Sequence, residues 1–418
     1  MNHLLLPSVR YLLAIGLASA ATIAAIELPL RSSSGLLPLT GLATASAAEP
    51  KSPLNRVTNL NRLAPPTPLG MDEQLWGQGG DRQALLRAID DSLRYLQTPK
   101  AVQDYRKYLN ASNPNQSELL RQRVQRSLRR FRQLVVSARS AAELQQAVQQ
   151  EFTFYQSTGK DNRGTVGFTG YFEPVYRASR VPNQEYRYPL FRLPPNFSQW
   201  RSPHPTRLQL EGADGLQYSK GALKGLELVW LRDRLEAFLV QVQGSARLQL
   251  TDGSTMTVGY AGKTNHAYSS VGRELVNAGK FKLEELTLPK LLQYFQANPA
   301  EMNTYLPRNR SFVFFRETNG APATGSLNVP VTADRSIATD KSLFPPGALA
   351  LIQTEIPYPT ATKQLSPQLV SRYVLDHDTG SAIKGAGRVD IFMGTGQLAG
   401  DRAGLINSTG QLYYLLLK

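Results

Sequence analysis

The chain has no cysteine and only four histidines (His3, His204, His266 and His377) in 418 residues. Without thiols there is no disulfide, no thiolate metal centre, no cysteine nucleophile and no lipidated cysteine anchor. The histidines lie too far apart to pair at i, i+4 on one helix, which argues against a histidine-rich metal enzyme. Acidic residues are the scarcer charge: 47 Lys and Arg against 32 Asp and Glu leave +15. That balance points to an anionic partner such as nucleic acid, a membrane surface or a cell-wall polymer. Familiar chemistry motifs are missing too. Gly262-Lys263-Thr264 looks like the tail of a phosphate loop, but Thr257 stands where its first glycine belongs. There is no G-x-S-x-G elbow, no H-E-x-x-H and no calcium loop. No cofactor and no metal site is expected.

What is present suits a folded protein of two domains. Hydrophobic residues make up 41% of the chain and charged residues 19%, enough for a packed core and against wholesale disorder. At the N-terminus, Arg10 precedes an uncharged apolar stretch from Tyr11 to Ile26, and small residues follow with an A-x-A-like site at Ala45-Ser46-Ala47. That order is a secretory signal, and the stretch is short for a membrane span of ~20 residues. Apolar residues between Leu28 and Leu42 leave an uncleaved anchor as the alternative. Residues 1–48 are thus read as signal peptide or anchor, and the protein as exported to the periplasm or cell envelope. Nucleic acid is then a poor partner, and the membrane is met only through this segment if it is not cleaved.

Residues 49–80, rich in Pro, Asn and Gly, read as a linker or extended arm. Leu85, Leu86, Ile89, Leu93 and Leu96 then recur at helical spacing after Asp81, a plausible N-cap. Ser117 opens a second helical run that carries Leu120, Val124, Leu128 and Phe131 together with Arg121, Arg123, Arg126, Arg129, Arg130 and Arg132. Those arginines are either a solvated face or an electrostatic grip on a polyanion. After about residue 163 the pattern changes to short β-rich runs, among them Thr165–Tyr171, Ala237–Gln243, Ser254–Tyr260 and Leu412–Leu417. Asp252-Gly253 marks a hairpin turn, and Val271 to Leu292 is a helical interruption. Many short strands at this spacing argue for barrels.

The densest polar and glycine-rich segment runs from Val374 to Gly396. Asp376, Asp378 and Asp390 sit there among apolar strand residues, where an ionised carboxylate is costly to bury. Such a carboxyl either caps a turn or has the raised pKa that a general acid needs. Asp390, flanked by Val389 and Ile391, is the best candidate for a partly desolvated acid. Asp378, before Thr379-Gly380, suits a turn or a supporting hydrogen bond. An aspartic protease would need a second Asp-Thr/Ser-Gly loop or a symmetric dimer, and the chain has no second loop.

At this point the sequence resembles the membrane-bound lytic murein transglycosylase A family with its C-terminal three-aspartate domain. The matching segments are Phe168-Thr-Gly-Tyr-Phe-Glu-Pro174, Tyr188 to Arg192, Val242 to Ala246, Gly259 to Lys263, His266 to Arg273, Pro307 to Phe315, Val329-Pro330, Asp340 to Gly347, and Asp378 to Gly385 through Arg388-Val-Asp-Ile-Phe392. Together they cover about residues 160–418. The resemblance implies a mainly β fold, with a discontinuous double-psi barrel, N-terminal helices beside it and a smaller inserted barrel. The corresponding boundaries are 81–171 for the helices and the first part of the barrel, 172–310 for the insertion and 311–418 for the rest. A groove between the barrels would hold a glycan strand of peptidoglycan.

The resemblance maps the catalytic acid to Asp390 and the second aspartate to Asp378, with Asp334 or Asp340 as the remaining one. Thr169-Gly170-Tyr171 and Gln243-Gly244-Ser245 match groove-lining segments, and Lys384 is a further substrate contact. In such an enzyme one carboxyl protonates the oxygen between N-acetylmuramic acid and N-acetylglucosamine. The same group then deprotonates the muramyl C6 hydroxyl, which closes a 1,6-anhydro ring. Two other readings remain: a non-catalytic, expansin-like wall-binding module, and a hydrolase that uses Asp378 as a second carboxylate. Proteins of cell-wall synthesis or division are the expected protein partners. Family members are often anchored through an N-terminal cysteine, which this chain lacks.

Overall fold

The computed structural model describes residues 51–58, 68–110, 114–282, 285–286 and 288–418. The expected export signal at 1–48, with its Ala45-Ser46-Ala47 site, lies outside the described residues, as do residues 49, 50 and 59–67 of the expected arm. A short strand, β1 (Leu54–Arg56), precedes four helices: α1 (Arg82–Tyr95), α2 (Pro99–Leu109), α3 (Pro114–Ser137) and α4 (Ala141–Glu151). Their sequences say where they start and stop. Thr98 accepts the Ala101 N–H at 3.2 Å ahead of Pro99, and α2 ends on Asn110 in the left-handed region (φ 48). Leu120, Val124, Leu128 and Phe131 are fully buried on one face of α3, the stripe that the three-to-four spacing requires. Phe131 packs on Tyr373 of the barrel with ring centroids 4.8 Å apart, so helices and barrel share one core.

One expectation about this region changes. Asp81 stands at the N-cap position of α1 but makes no capping hydrogen bond. Its carboxylate instead receives the guanidinium groups of Arg335 and Arg372, because two buried cations outcompete a backbone N–H. The arginines of α3 largely serve the protein itself. Arg121 pairs with Glu118, Arg130 with Glu151 and Arg132 with Asp90, while Arg123 donates to the Leu417 carbonyl at 3.1 Å. Arg126 and Arg129 are exposed.

After β2 (Phe152–Ser157) and β3 (Val166–Glu173) the chain enters a second sheet. Its strands are β4 (Val175–Ser179), β5 (Tyr188–Phe191), β6 (Glu227–Leu231), β7 (Ser245–Leu250), β8 (Thr255–Lys263) and β9 (Val313–Glu317). The helices α5 (Arg207–Glu211), α6 (Arg234–Gln243), α7 (Val271–Asn277), α8 (Leu288–Ala297) and α9 (Met302–Tyr305) are interleaved with them. The sheet order is β5-β6-β4-β7-β8-β9, and a bridge between Arg192 and Phe315 links its first and last strands, curling it round on itself. Asp252 and Gly253 (φ 85) form the β7–β8 turn as the dipeptide predicts. The run Ala237–Gln243, expected as strand, is instead helix α6. An unbroken apolar run does not distinguish the two by period, and the flanks decide: Asp233 accepts the Leu235 N–H at 2.6 Å, and Gly244 (φ 82) ends the helix.

The chain then returns to the first sheet with β10 (Ser336–Ala338), β11 (Leu349–Pro359), β12 (Leu365–Asp378), β13 (Arg388–Thr395), α10 (Gln397–Leu405) and β14 (Asn407–Leu417). Six strands close a ring in the order β14-β11-β12-β10-β13-β3, because β14 also pairs with β3. The pairs β10–β12 and β13–β3 are parallel and the others antiparallel. This closed barrel, mainly β and flanked by the N-terminal helices, is the architecture the resemblance implies. β2 extends it along β14, and β1 pairs with β2, so the described part of the arm is tied to the barrel edge. Among the described residues no helix is long and apolar enough to cross a membrane.

Candidate active site between the two barrels

The parallel register of β3 and β13 sets Asp390 beside Thr169. Arg388 lies two residues before Asp390 on the same strand, hence on the same face. The Thr169 hydroxyl donates to Asp390 Oδ1, and Arg388 Nη2 donates to that same Oδ1 at 3.2 Å and to Thr169 Oγ1 at 2.7 Å. Oδ1 is thus held from two sides, and among the described residues nothing donates to Oδ2. Burial pushes the Asp390 carboxyl above its ordinary range; the Arg388 guanidinium pulls it back and the negative charge of Asp378 adds to the rise.

Asp390 opens into a cavity of about 180 Å³ between the barrels, the volume of several waters rather than one at ~30 Å³ each. Thr169, Gly170, Tyr171 and Gln243 line the same cavity, and Asp390 is its only carboxylate among the described residues. Phe238, Leu239, Leu288 and Leu291 from the inserted part give it apolar walls, the usual make-up of a ligand site with few polar groups. Gln243 joins the two sides: its Oε1 accepts the Phe172 N–H at 3.1 Å.

The other expected site residues lie around this cavity and not on its wall. Asp378 sits behind Tyr171, whose hydroxyl donates to Oδ2 at 3.0 Å, while the N–H groups of Ser326 and Thr379 donate to Oδ1 at 2.8 Å each. Burial raises its carboxyl above the ordinary range despite those donors. Gly244 caps α6, and Ser245 opens β7 opposite Gly259. Lys384 stands at the lip with its side chain 70% exposed, 4.0 Å from Asp340. Asp340 itself accepts from Ser342 and from the Gly385 N–H. Asp334 belongs to a separate buried cluster, clamped by both Nη atoms of Arg402 at 2.7 and 2.8 Å. Asp376 is fully buried against Lys341, Thr339 and Tyr414. His377, between Ser92 and Ser336, is pushed down to about 3 by burial and stays neutral.

Sequence reasoning gave no role to Arg388 or Tyr268. The alternation of strand side chains around Asp390 was the signal for Arg388. Tyr268 comes to the cavity from the inserted part, and burial pushes its phenol up to about 12, so it remains a hydrogen-bond donor at neutral pH. Gly170 has a different reason to be there. A Cβ at this position would meet Ala403 Cα at 2.6 Å and Ala403 O at 2.8 Å, because β3 packs directly on α10. Gly170→Ala is expected to destabilise the fold by about 1–3 kcal/mol, a typical overpacking cost, and to displace Thr169 from Asp390. Thermal denaturation alongside activity checks this, and an unchanged melting curve would contradict the packing argument.

Comparisons with known proteins identify the family of this fold. The family model described as MltA specific insert domain matches residues 167–316, and the 3D domain model matches residues 335–416. A protein called membrane-bound lytic murein transglycosylase A from Escherichia coli (strain K12) is 34% identical over 263 residues, 62% of this chain and 68% of that protein. Its namesake from Vibrio cholerae is 34% identical over 267 residues, 63% of this chain and 68% of its own. The crystal structure of E. coli MltA with bound chitohexaose superposes with a TM-score of 0.64 at 27% identity, covering 90% of this chain and 97% of that one. A match of that extent takes in part of the N-terminal region, which the sequence motifs did not reach. The chain belongs to the membrane-bound lytic murein transglycosylase A family.

Proposed function

We propose that this protein is a lytic transglycosylase that cuts the bond between N-acetylmuramic acid and N-acetylglucosamine in peptidoglycan, with Asp390 as its single acid and base. The observation that carries this reading is that Asp390 is the only carboxyl on the wall of the inter-barrel cavity among the described residues. A glycosidase that uses water or a covalent intermediate needs two carboxyls facing the scissile bond. Here the second candidate, Asp378, is screened by Tyr171 and held by two backbone N–H groups.

The chain's own residues then divide the work. Thr169 and Arg388 fix Oδ1, which leaves Oδ2 to pass its proton to the glycosidic oxygen. As the bond breaks, the same oxygen accepts the proton of the muramyl C6 hydroxyl, which attacks C1. The nucleophile is already tethered to the reacting sugar, so ring closure consumes no water and gains the rate advantage of an intramolecular step. Gly170, Tyr171, Gln243, Gly244, Ser245 and Lys384 are assigned to substrate contact along the groove. The bound chitohexaose of the E. coli relative supports a glycan in the cleft. The name "membrane-bound" carried by the relatives supports an envelope location, where a charge of +15 meets the carboxylates of the wall.

Purified sacculi test this reading. Soluble muropeptides lighter by one water than their reducing-end counterparts are expected, and reducing ends would convert the assignment to hydrolysis. Binding to the wall with no soluble product from folded protein would identify a binding module.

Arg388 supplies a second check through pH. The acid must start protonated, so the rate falls as pH rises through the Asp390 pKa. Arg388 lowers that pKa, and Arg388→Gln is expected to raise it. The alkaline limb of the kcat/KM profile then moves to higher pH, with kcat reduced by looser positioning. A shift to lower pH, or none, would contradict the electrostatic role of Arg388.

A further inference from the structure

Two lysines stand at the lip of the cavity, Lys384 and one that takes no part in the function proposed above, Lys263. Lys263 ends β8 on the inserted side, and its Nζ donates to the His266 carbonyl at 3.2 Å, two residues before cavity-lining Tyr268. Lys384 lies on the opposite side, directly after cavity-lining Ile383. No carboxylate among the described residues pairs with Lys263. The carboxylate beside Lys384, Asp340, is 4.0 Å away and already accepts from the Ser342 N–H, the Ser342 hydroxyl and the Gly385 N–H. Burial first, and the charge of Lys384 second, hold Lys263 below the ordinary lysine range.

Like charges held near one another cost free energy, and with Asp340 shared among three other donors an entering anion recovers part of it. The backbone of an N-acetylated glycan offers no such anion. In peptidoglycan the negative charge resides on the lactyl arm of muramic acid, either as a free carboxylate or on the peptide it carries. We propose that Lys263 and Lys384, one from each side of the cleft, form a carboxylate-binding subsite for the lactyl arm of muramic acid or its stem peptide. The subsite sets a preference for charged muramyl strands over neutral ones. It rests on the peptidoglycan reading of the cavity.

The test uses the full chain and three glycans: strands with stem peptides, peptide-free strands with free lactyl carboxylates, and peptide-free strands with those carboxyls amidated. Wild type is expected to favour charged strands over amidated ones by about tenfold in kcat/KM, the size of one charge-assisted contact, and less as salt rises. Lys263→Gln should erase most of that preference through KM, leaving kcat and the amidated substrate unchanged, Lys384→Gln should lose more on charged strands than on amidated ones, and Lys263→Arg retains the preference. Preference for peptide-bearing strands alone assigns the subsite to the peptide, preference for free lactyl carboxylates alone assigns it to the lactyl arm, and preference for both shows that it accepts either carboxylate. Equal turnover of charged and neutral strands by wild type, or equal losses on both in the variants, would overturn the subsite while leaving the transglycosylase reading intact. Cleavage of none of the three would overturn that reading first and the subsite with it.

Discussion

Asp390→Asn is expected to cut peptidoglycan roughly 10²–10⁴-fold more slowly than wild type, the range that a positioned acid–base group supplies. The amide keeps the size of the carboxyl, and its oxygen still accepts from Thr169 and Arg388, as Oδ1 does now. The fold and glycan binding should therefore survive. What is lost is the proton on Oδ2, and with it both halves of the reaction, since one group protonates the leaving oxygen and then deprotonates the C6 hydroxyl. No neighbour takes over: Asp390 is the only carboxylate on the cavity wall among the described residues. Steady-state release of soluble muropeptides, with glycan affinity measured on the same preparations, checks the split. A variant that loses affinity and rate in equal measure would point to a structural role instead.

Arg335→Met is expected to be the most damaging change outside the cleft. Arg335 and Asp72 are both fully buried, joined at 2.5 Å, and Arg335 also bonds Asp81 and the Tyr373 carbonyl. Methionine fills much of the space but leaves Asp72 as a buried charge whose remaining donor is the Tyr373 N–H at 3.0 Å. Breaking such a pair from one side costs about 3–5 kcal/mol, a large fraction of the 5–15 kcal/mol that holds a typical protein folded. Denaturant unfolding at neutral pH measures it. Adding Asp72→Asn to the variant should return part of the loss, because the stranded charge is gone. The pair matters because Asp72 belongs to the segment before the helices and Arg335 to the barrel, so one contact fastens the two together.

How far these sites could be read from sequence follows from what each depends on. The helical stripe of α3 and the Asp252-Gly253 turn are local, and spacing or dipeptide chemistry reveals them. Helix α6 was misread because its apolar residues fit either period, and its true signals, Asp233 before it and Gly244 after it, are single residues. Asp81 looked like a cap because caps are local, whereas its partners Arg335 and Arg372 lie more than 250 residues away. In the cleft, Asp390 stood out as an acid among apolar strand residues. Its neighbour Thr169 depends on a parallel pairing of β3 with β13 across the whole insertion, and only the family resemblance reached it. Arg388 lies two residues before Asp390 within a matching segment, but the segment by itself assigns it no role. The facing lysines need both barrels in place, and no sequence pattern joins positions 263 and 384.

The central claim is that one carboxyl cleaves the strand without consuming water, and cleavage in ¹⁸O-labelled water tests it most directly. Wild type and Asp390→Asn are incubated with sacculi side by side, and the soluble muropeptides are analysed by mass spectrometry. Wild type should release 1,6-anhydro ends free of the label, and the variant should release almost none. Labelled reducing ends from wild type, or unlabelled anhydro ends from the variant at a comparable rate, would contradict the single-carboxyl account.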